Sequence, residues 1–248
     1  NILTQHVMIR RLKKDVLKEL PDKIYNLIPL EIDNRQEYLE AKRDFVAYMG
    51  KVFDRDVEKM KQKLGKEFQE FAKQQNLPGV SVPTIDIDEL NYLREEKMER
   101  VANAPVLTQI ESLKQIAVKG KMKQLMNWIH EFLESGEKLV VMAVHKFVID
   151  ELMEEFGKIA VKVDGSVTGI KRQEAVDKFQ SSSRIKLFIG NIKAAGVGLT
   201  LTAACNIAVI ELPWAPGELD QAVDRVHRIS QQRGVNVYYI VSRKTIEE

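Results

Sequence analysis

The 248-residue chain is 44% hydrophobic and 30% charged, which gives it ample apolar material for a core and excludes a disordered or low-complexity class. Its net charge is only +2, so any contact with nucleic acid has to come from a local cluster of cations and not from a global field. The single cysteine, Cys205, excludes internal disulfides and cysteine-ligated metal sites, and no apolar run approaches the ~18 residues that span a membrane. An intracellular protein with no membrane partner is expected. The start at Asn1 and the stop at Thr245-Ile-Glu-Glu248 suggest a piece of a longer protein.

Read in order, the chain opens with a basic amphipathic stretch, Met8-Ile-Arg10-Arg11-Leu-Lys13-Lys14, that ends at Pro21. Ile24 to Ile32 is β-rich with a proline inside, which predicts an edge or connecting strand. From Arg35 to about Gln75 the pattern is helical, with Phe45, Met49, Val57, Met60, Leu64 and Phe68 recurring every three or four residues. That stripe is narrow and its flanks are charged, so a protruding helix or one with a single partner is expected. Asn76-Leu-Pro-Gly-Val-Ser-Val-Pro-Thr84 breaks the pattern, and Asp88–Ala102 returns as a second helix. Leu107–Ala117 and Met122–Leu133 are predicted as two more, separated at Lys119-Gly-Lys121.

From Lys138 the signal changes to strands alternating with helices. Strands are predicted at 139–144, 159–163, 185–189, 207–212 and 235–241, with helices at about 146–156, 169–180, 199–204 and 216–229. The strands are apolar throughout, as expected where helices cover both faces of a parallel sheet. Thr168 is placed to cap the second of these helices, and Trp214 reads as a packing anchor.

The chemistry concentrates between Gly190 and Gln231. On a continuous helix, Gln221, Arg225 and Arg228 stand at i, i+4 and i+7, so an amide and two guanidiniums share a face. Two cations aimed one way repel unless an anion sits between them, and a triphosphate suits their planar donor forks. A salt-bridged surface helix is the structural alternative. Upstream, Gly196 and Gly198 punctuate the loop after the 185–189 strand. In such a sheet ligands bind at the carboxyl ends of the strands, which here carry His145-Lys146, Asp164-Gly165-Ser166, Asn191 with Lys193, and Glu211-Leu-Pro-Trp214.

These residues resemble the second RecA-like lobe of superfamily 2 helicase-like ATPases of the Swi/Snf translocase type. Gln221-x-x-Asp-Arg225-x-His227-Arg228-Ile-x-Gln231 is similar to motif VI, and Ala194-Ala-Gly196-Val-Gly198-Leu-Thr200 to motif V. The likeness runs from about Ile9 to Glu248 and is nearest the HepA-related, annealing-helicase-like branch. It implies an α/β RecA-like lobe with a mainly parallel sheet, plus a helical insertion. Residues 1–33 would then join the two lobes, 34–118 would form the protrusion, and 119–248 the lobe proper.

By the same resemblance Arg225 and Arg228 are arginine fingers, while Gln221, Gly196 and Gly198 face ATP. His145, Lys146, Ser166, Arg172, Asn191 and Lys193 would line a track for double-stranded DNA, using cations and small residues to meet phosphates. Ile192 stands where many relatives have Thr, and His145-Lys146 where chromatin remodellers have Ser-Gln. Thr200 replaces their Asn, and Ser230 the Gly of the motif VI signature. No Gly-x-x-x-x-Gly-Lys-Ser/Thr loop and no Asp-Glu-x-His element occurs in the chain. ATP and Mg2+ would therefore be held mainly by an N-terminal RecA-like lobe of the same protein, and this chain alone is expected to be inactive. The rival readings are a non-catalytic DNA- or protein-binding module that kept the fold, and an RNA helicase lobe.

Overall fold

The computed structural model describes residues 19–74, 87–195 and 198–248. Gly196, the basic stretch around Arg10 and the Asn76–Thr84 break lie outside the described residues. By its internal contacts the chain divides into two compact units, one of residues 1–33 with 117–248 and the other of residues 34–116.

The first unit is built on six parallel strands: β1 (Lys23–Leu30), β2 (Leu139–Ala143), β3 (Ala160–Val163), β4 (Leu187–Asn191), β5 (Asn206–Val209) and β6 (Val235–Ser242). Their spatial order is β1-β6-β5-β2-β4-β3, and every neighbouring pair runs parallel. Strand alternation divides the core into two layers. On one face, Val140, Met142, Phe188, Ile207 and Val209 pack with Val176 and Phe179 of a helix at Gly169–Ser181, and with Ala222 and Val223 of a helix at Pro216–Val223. On the other, Leu139, Val141, Ala143, Ile189 and Ala208 meet Val118, Leu125 and Ile129 of a helix at Val106–Glu134, with Val148, Ile149 and Leu152 of a helix at Lys146–Phe156. Burial on both sides explains why β2 is apolar at all five positions. β1 is an edge strand, which accommodates Pro29 in register with Val241.

In chain order the helices are α1 (Arg35–Arg43), α2 (Phe45–Gln74), α3 (Ile87–Ala102), α4 (Val106–Glu134), α5 (Lys146–Phe156), α6 (Gly169–Ser181), α7 (Ile192–Ala195) and α8 (Pro216–Val223). Several differ from the sequence expectation, including the short α7, which the sequence pattern does not predict. The single run from Arg35 is broken at Asp44, whose amide closes α1 on Glu40 O and whose carboxylate accepts from Ala47 N–H at 3.0 Å, so one residue caps two helices. The two runs either side of Lys119-Gly-Lys121 are one helix. Gly120 is buried and its carbonyl accepts the Asp33 amide at 3.0 Å, while Lys121 is completely buried. No helix forms at 199–204, and α8 stops at Val223, for the reason given below. Thr168 occupies the N-cap position of α6 but makes no side-chain cap bond.

In the second unit α2 and α3 are held by the fork of Arg94 on Asp54, at 2.8 and 3.2 Å, and by Lys97 over the Phe53 ring at 5.0 Å. Tyr38 and Ala41 are buried here. Glu37 accepts the Tyr48 hydroxyl at 2.9 Å. Burial first, and that carboxylate second, push the phenol up to about 12. Among the described residues no helix is long and apolar enough to cross a membrane.

Candidate functional site

β2 and β5 are adjacent, yet the chain leaves them in opposite directions, β2 toward β3 and β5 toward β6. The crevice outside their carboxyl ends is thus the topological switch point, where ligands of open α/β sheets bind. A buried carboxylate spans it. Glu211, two residues past β5 and 2% exposed, accepts the Val144 and His145 amides at 2.8 and 2.9 Å and pairs with His145 Nδ1. Burial alone would push this carboxyl up. The imidazole and the two amides outweigh it and hold the group below the usual glutamate range. Asn191, at the end of β4, donates to Val144 O at 2.6 Å and accepts the Lys193 and Ala194 amides, so the turns after β2 and β4 are locked together.

Lys146 is exposed and pairs with Asp150 one turn along α5 at 2.6 Å, which raises its pKa. Lys162 bridges Asp150 and Asp164 at 3.6 and 3.3 Å. Asp164 in turn takes the Ser166 amide at 2.9 Å and its hydroxyl at 2.5 Å. The Ser166 hydroxyl holds the Asp164 carboxyl low against the opposing effect of burial. The ends of β2 and β3 are therefore joined by an alternating chain of charges that includes two residues expected at the site, Lys146 and Ser166. Arg172 sits in the first turn of α6, its amide bonded to Thr168 O at 2.8 Å, and Lys193 is exposed on α7.

The arginines do not lie on a continuous helix. Beyond Val223 the carbonyls that a helix would use are drawn to the 199–204 segment. Arg225 O accepts the Leu201 amide at 2.9 Å. The Gln231 side-chain amide donates to Ala204 O at 2.8 Å and to Val226 O at 3.3 Å. Arg228 donates to Leu199 O at 3.1 Å and to Thr200 Oγ1 at 2.7 Å. These same bonds hold 199–204 open as a loop. Helical spacing is right for Gln221, exposed on the last turn of α8, but tertiary bonds override it for Arg225 and Arg228. The two guanidiniums nonetheless act on each other: burial first, then the charge of Arg228, lower the pKa of Arg225. Gly198 has φ +74°, a left-handed backbone that requires glycine in this loop.

Two residues do more than their place in the sequence suggests: Glu211, at a strand end, and Lys121, in an expected break. Glu211 closes an otherwise apolar strand, and Lys121 interrupts the apolar spacing Ala117, Leu125, Ile129 on α4. Both are charges on a face that should be buried, which is the signal that finds them. Lys121 Nζ donates to Ile210 O at 2.7 Å, to Ile240 O at 2.8 Å and to Glu247 at 2.6 Å, tying the ends of β5 and β6 together. Trp214, by contrast, is 56% exposed and is no packing anchor.

Residues 120–230 match the helicase conserved C-terminal domain family. The chain is 41% identical over 134 residues to the SWI/SNF-related matrix-associated actin-dependent regulator of chromatin subfamily A-like protein 1 of Xenopus tropicalis, covering 52% of this chain and 14% of that one. It is 30% identical over 256 residues to the DNA annealing helicase and endonuclease ZRANB3 of Mus musculus, covering 99% of this chain and 19% of the relative. A solved structure of the C-terminal part of the Fun30 ATPase domain superposes with a TM-score of 0.60 at 17% identity, over 92% of this chain and 88% of that one, which establishes the shared fold. The chain is a Swi/Snf-type C-terminal lobe of superfamily 2. Within this Swi/Snf-type lobe, motif VI is tied to motif V through Arg228 and to the segment just after it through Arg225 and Gln231, and the turn after β2 is tied to the β5 end through Glu211. The lobe spans only 14% to 19% of these curated relatives.

Proposed function

We propose that this is the C-terminal lobe of an intracellular, ATP-dependent double-stranded DNA translocase or remodeller. Arg225 and Arg228 stabilise charge on the transferred phosphoryl, Gln221 and the Gly196–Gly198 loop face the nucleotide, and the turns after β2, β3 and β4 follow one DNA strand. The observation that carries this reading is the knot of motifs V and VI. Arg228 is bonded to Leu199 O and Thr200 Oγ1, with Arg225 close enough for the charge of Arg228 to lower its basicity. Two guanidiniums this close are stabilised by a polyanion, so the residues present suit the phosphates of ATP.

Among the described residues no three His, Cys, Asp or Glu side chains are grouped to hold a metal ion. The metal and the phosphate cradle fall to the N-terminal RecA-like lobe, and closure of the two lobes completes the site. His145, Lys146, Ser166, Arg172, Asn191 and Lys193 are proposed as the DNA track.

Two measurements on the 248-residue chain test the assignment. ATP hydrolysis should be at background. Binding to a fluorescent duplex should be independent of sequence and weaken with salt, each phosphate contact adding about 0.9 to the log–log slope. Salt-insensitive or strongly sequence-dependent binding contradicts it. Substituting Lys146 and Lys193 with Ala should weaken all sequences alike.

A further inference from the structure

The Glu211–His145 pair lies at the switch point, and neither its geometry nor its charge is required by the packing of the sheet. Glu211 is a buried carboxylate held below its usual range, so it is ionised at neutral pH and can only accept hydrogen bonds. All three groups that face it must then donate: the Val144 amide, the His145 amide and His145 Nδ1. The imidazole accordingly carries a proton on Nδ1, toward the protein, and is oriented by the same carboxylate that fixes its own backbone. The ring lies tilted against that of Phe147, with 5.7 Å between centroids; Lys119 stands over the Phe147 ring at 5.6 Å, while the neighbouring Lys146 is paired with Asp150. The His145 side chain keeps 17% of its surface exposed, against 2% for that of Glu211.

We propose that Glu211 is the positioning residue of the nucleic-acid track. By holding His145 Nδ1–H and the two amides of the turn after β2, it fixes the ring and the turn in the placement from which they meet a phosphate of the DNA backbone. The carboxylate itself touches no phosphate. Its negative charge, placed behind the ring, favours the imidazolium that an anionic phosphate also favours. This rests on the DNA reading given above.

The experiment is a double-mutant cycle on duplex binding by the 248-residue chain, at low and moderate salt, with melting temperatures taken in parallel. Glu211→Gln should weaken binding roughly three- to tenfold, within the range of a coupling between contacting residues. His145→Ala should weaken it by a similar factor. The double variant should be no weaker than His145→Ala alone. A loss from Glu211→Gln that is equally large in the His145→Ala background overturns the proposal and makes Glu211 merely structural; so does no loss in either background.

Ring-nitrogen NMR on the unsubstituted chain gives a second readout that needs neither DNA nor a foldable variant. A protonated Nδ1 at neutral pH supports the arrangement, and a ring protonated on Nε2 alone overturns it even if Glu211→Gln does not fold. Failure of the unsubstituted chain to bind any duplex overturns the DNA reading, and the binding half of this proposal with it, while the ring-nitrogen signals report the pairing separately.

Discussion

The sheet unit and the helical unit are made from similar side chains but hold themselves together in different ways. In the sheet unit Lys121 and Glu247 are an ion pair with side chains 0% and 2% exposed, and Glu211 is buried under three donors. In the helical unit the comparable pair, Arg94 with Asp54, is 43% and 56% exposed, and Met60, Leu64, Tyr92 and Leu93 remain largely in solvent. The difference lies in what water does to a charge. A buried charge must be matched by a fixed partner, so it fixes backbone geometry as well, whereas an exposed pair is screened and fixes little. Glu211 and His145, which the turn after β2 depends on, sit in the first kind of environment.

That contrast is broken most directly at Lys121. Lys121→Ala strands the Glu247 carboxylate and releases the carbonyls of Ile210 and Ile240. A loss of about 3–5 kcal/mol is expected in urea denaturation; less than 1 kcal/mol would mean that the pair is no more than a surface contact. A smaller, pH-dependent effect is expected at Glu211. Its folded pKa is depressed, so the stability it contributes is complete above the ordinary value of about 4.3 and is lost as pH falls through the lower folded value. The stability gap between the unsubstituted chain and Glu211→Gln should be constant near neutrality and close progressively below about pH 4.3. A gap that widens on acidification contradicts this sign.

Smaller still is Arg94→Ala, which should lower the melting temperature only slightly and lose even that difference in high salt. The weakest effect of all is expected from removing the helical unit. Asp33 N–H bonds to Gly120 O at 3.0 Å, so a short linker can replace residues 34–116. The sheet unit should keep its circular dichroism and cooperative melting, and an unfolded truncation would show that the helices are part of one core.

The sheet was legible in the sequence because burial on both faces leaves continuous apolar runs, and Leu139–Ala143 could be read as little else. The family was legible because the wording of motifs V and VI is specific. The local geometry of the site was not. The i, i+4, i+7 spacing of Gln221, Arg225 and Arg228 is a helical pattern, and nothing local shows that Leu201 N–H and the Gln231 side chain will take the carbonyls that would continue the helix. Likewise Lys119-Gly-Lys121 has the composition of a break. Only the long-range bonds of Lys121 and the approach of Asp33 explain why the helix runs through it. Asp44 erred in the other direction: a short polar residue inside an apolar period proved to cap two helices.

The most direct test of the central claim is DNA-stimulated ATP turnover of the intact two-lobe protein carrying Arg225→Ala, with the melting temperature measured on the same sample. The account predicts a fall of about 10³–10⁵ in turnover with melting and nucleotide binding little changed, and poor rescue by Arg225→Lys, whose point charge lacks the two-pronged donor. Turnover near that of the unsubstituted protein, or a loss that only tracks the fraction folded, would contradict it.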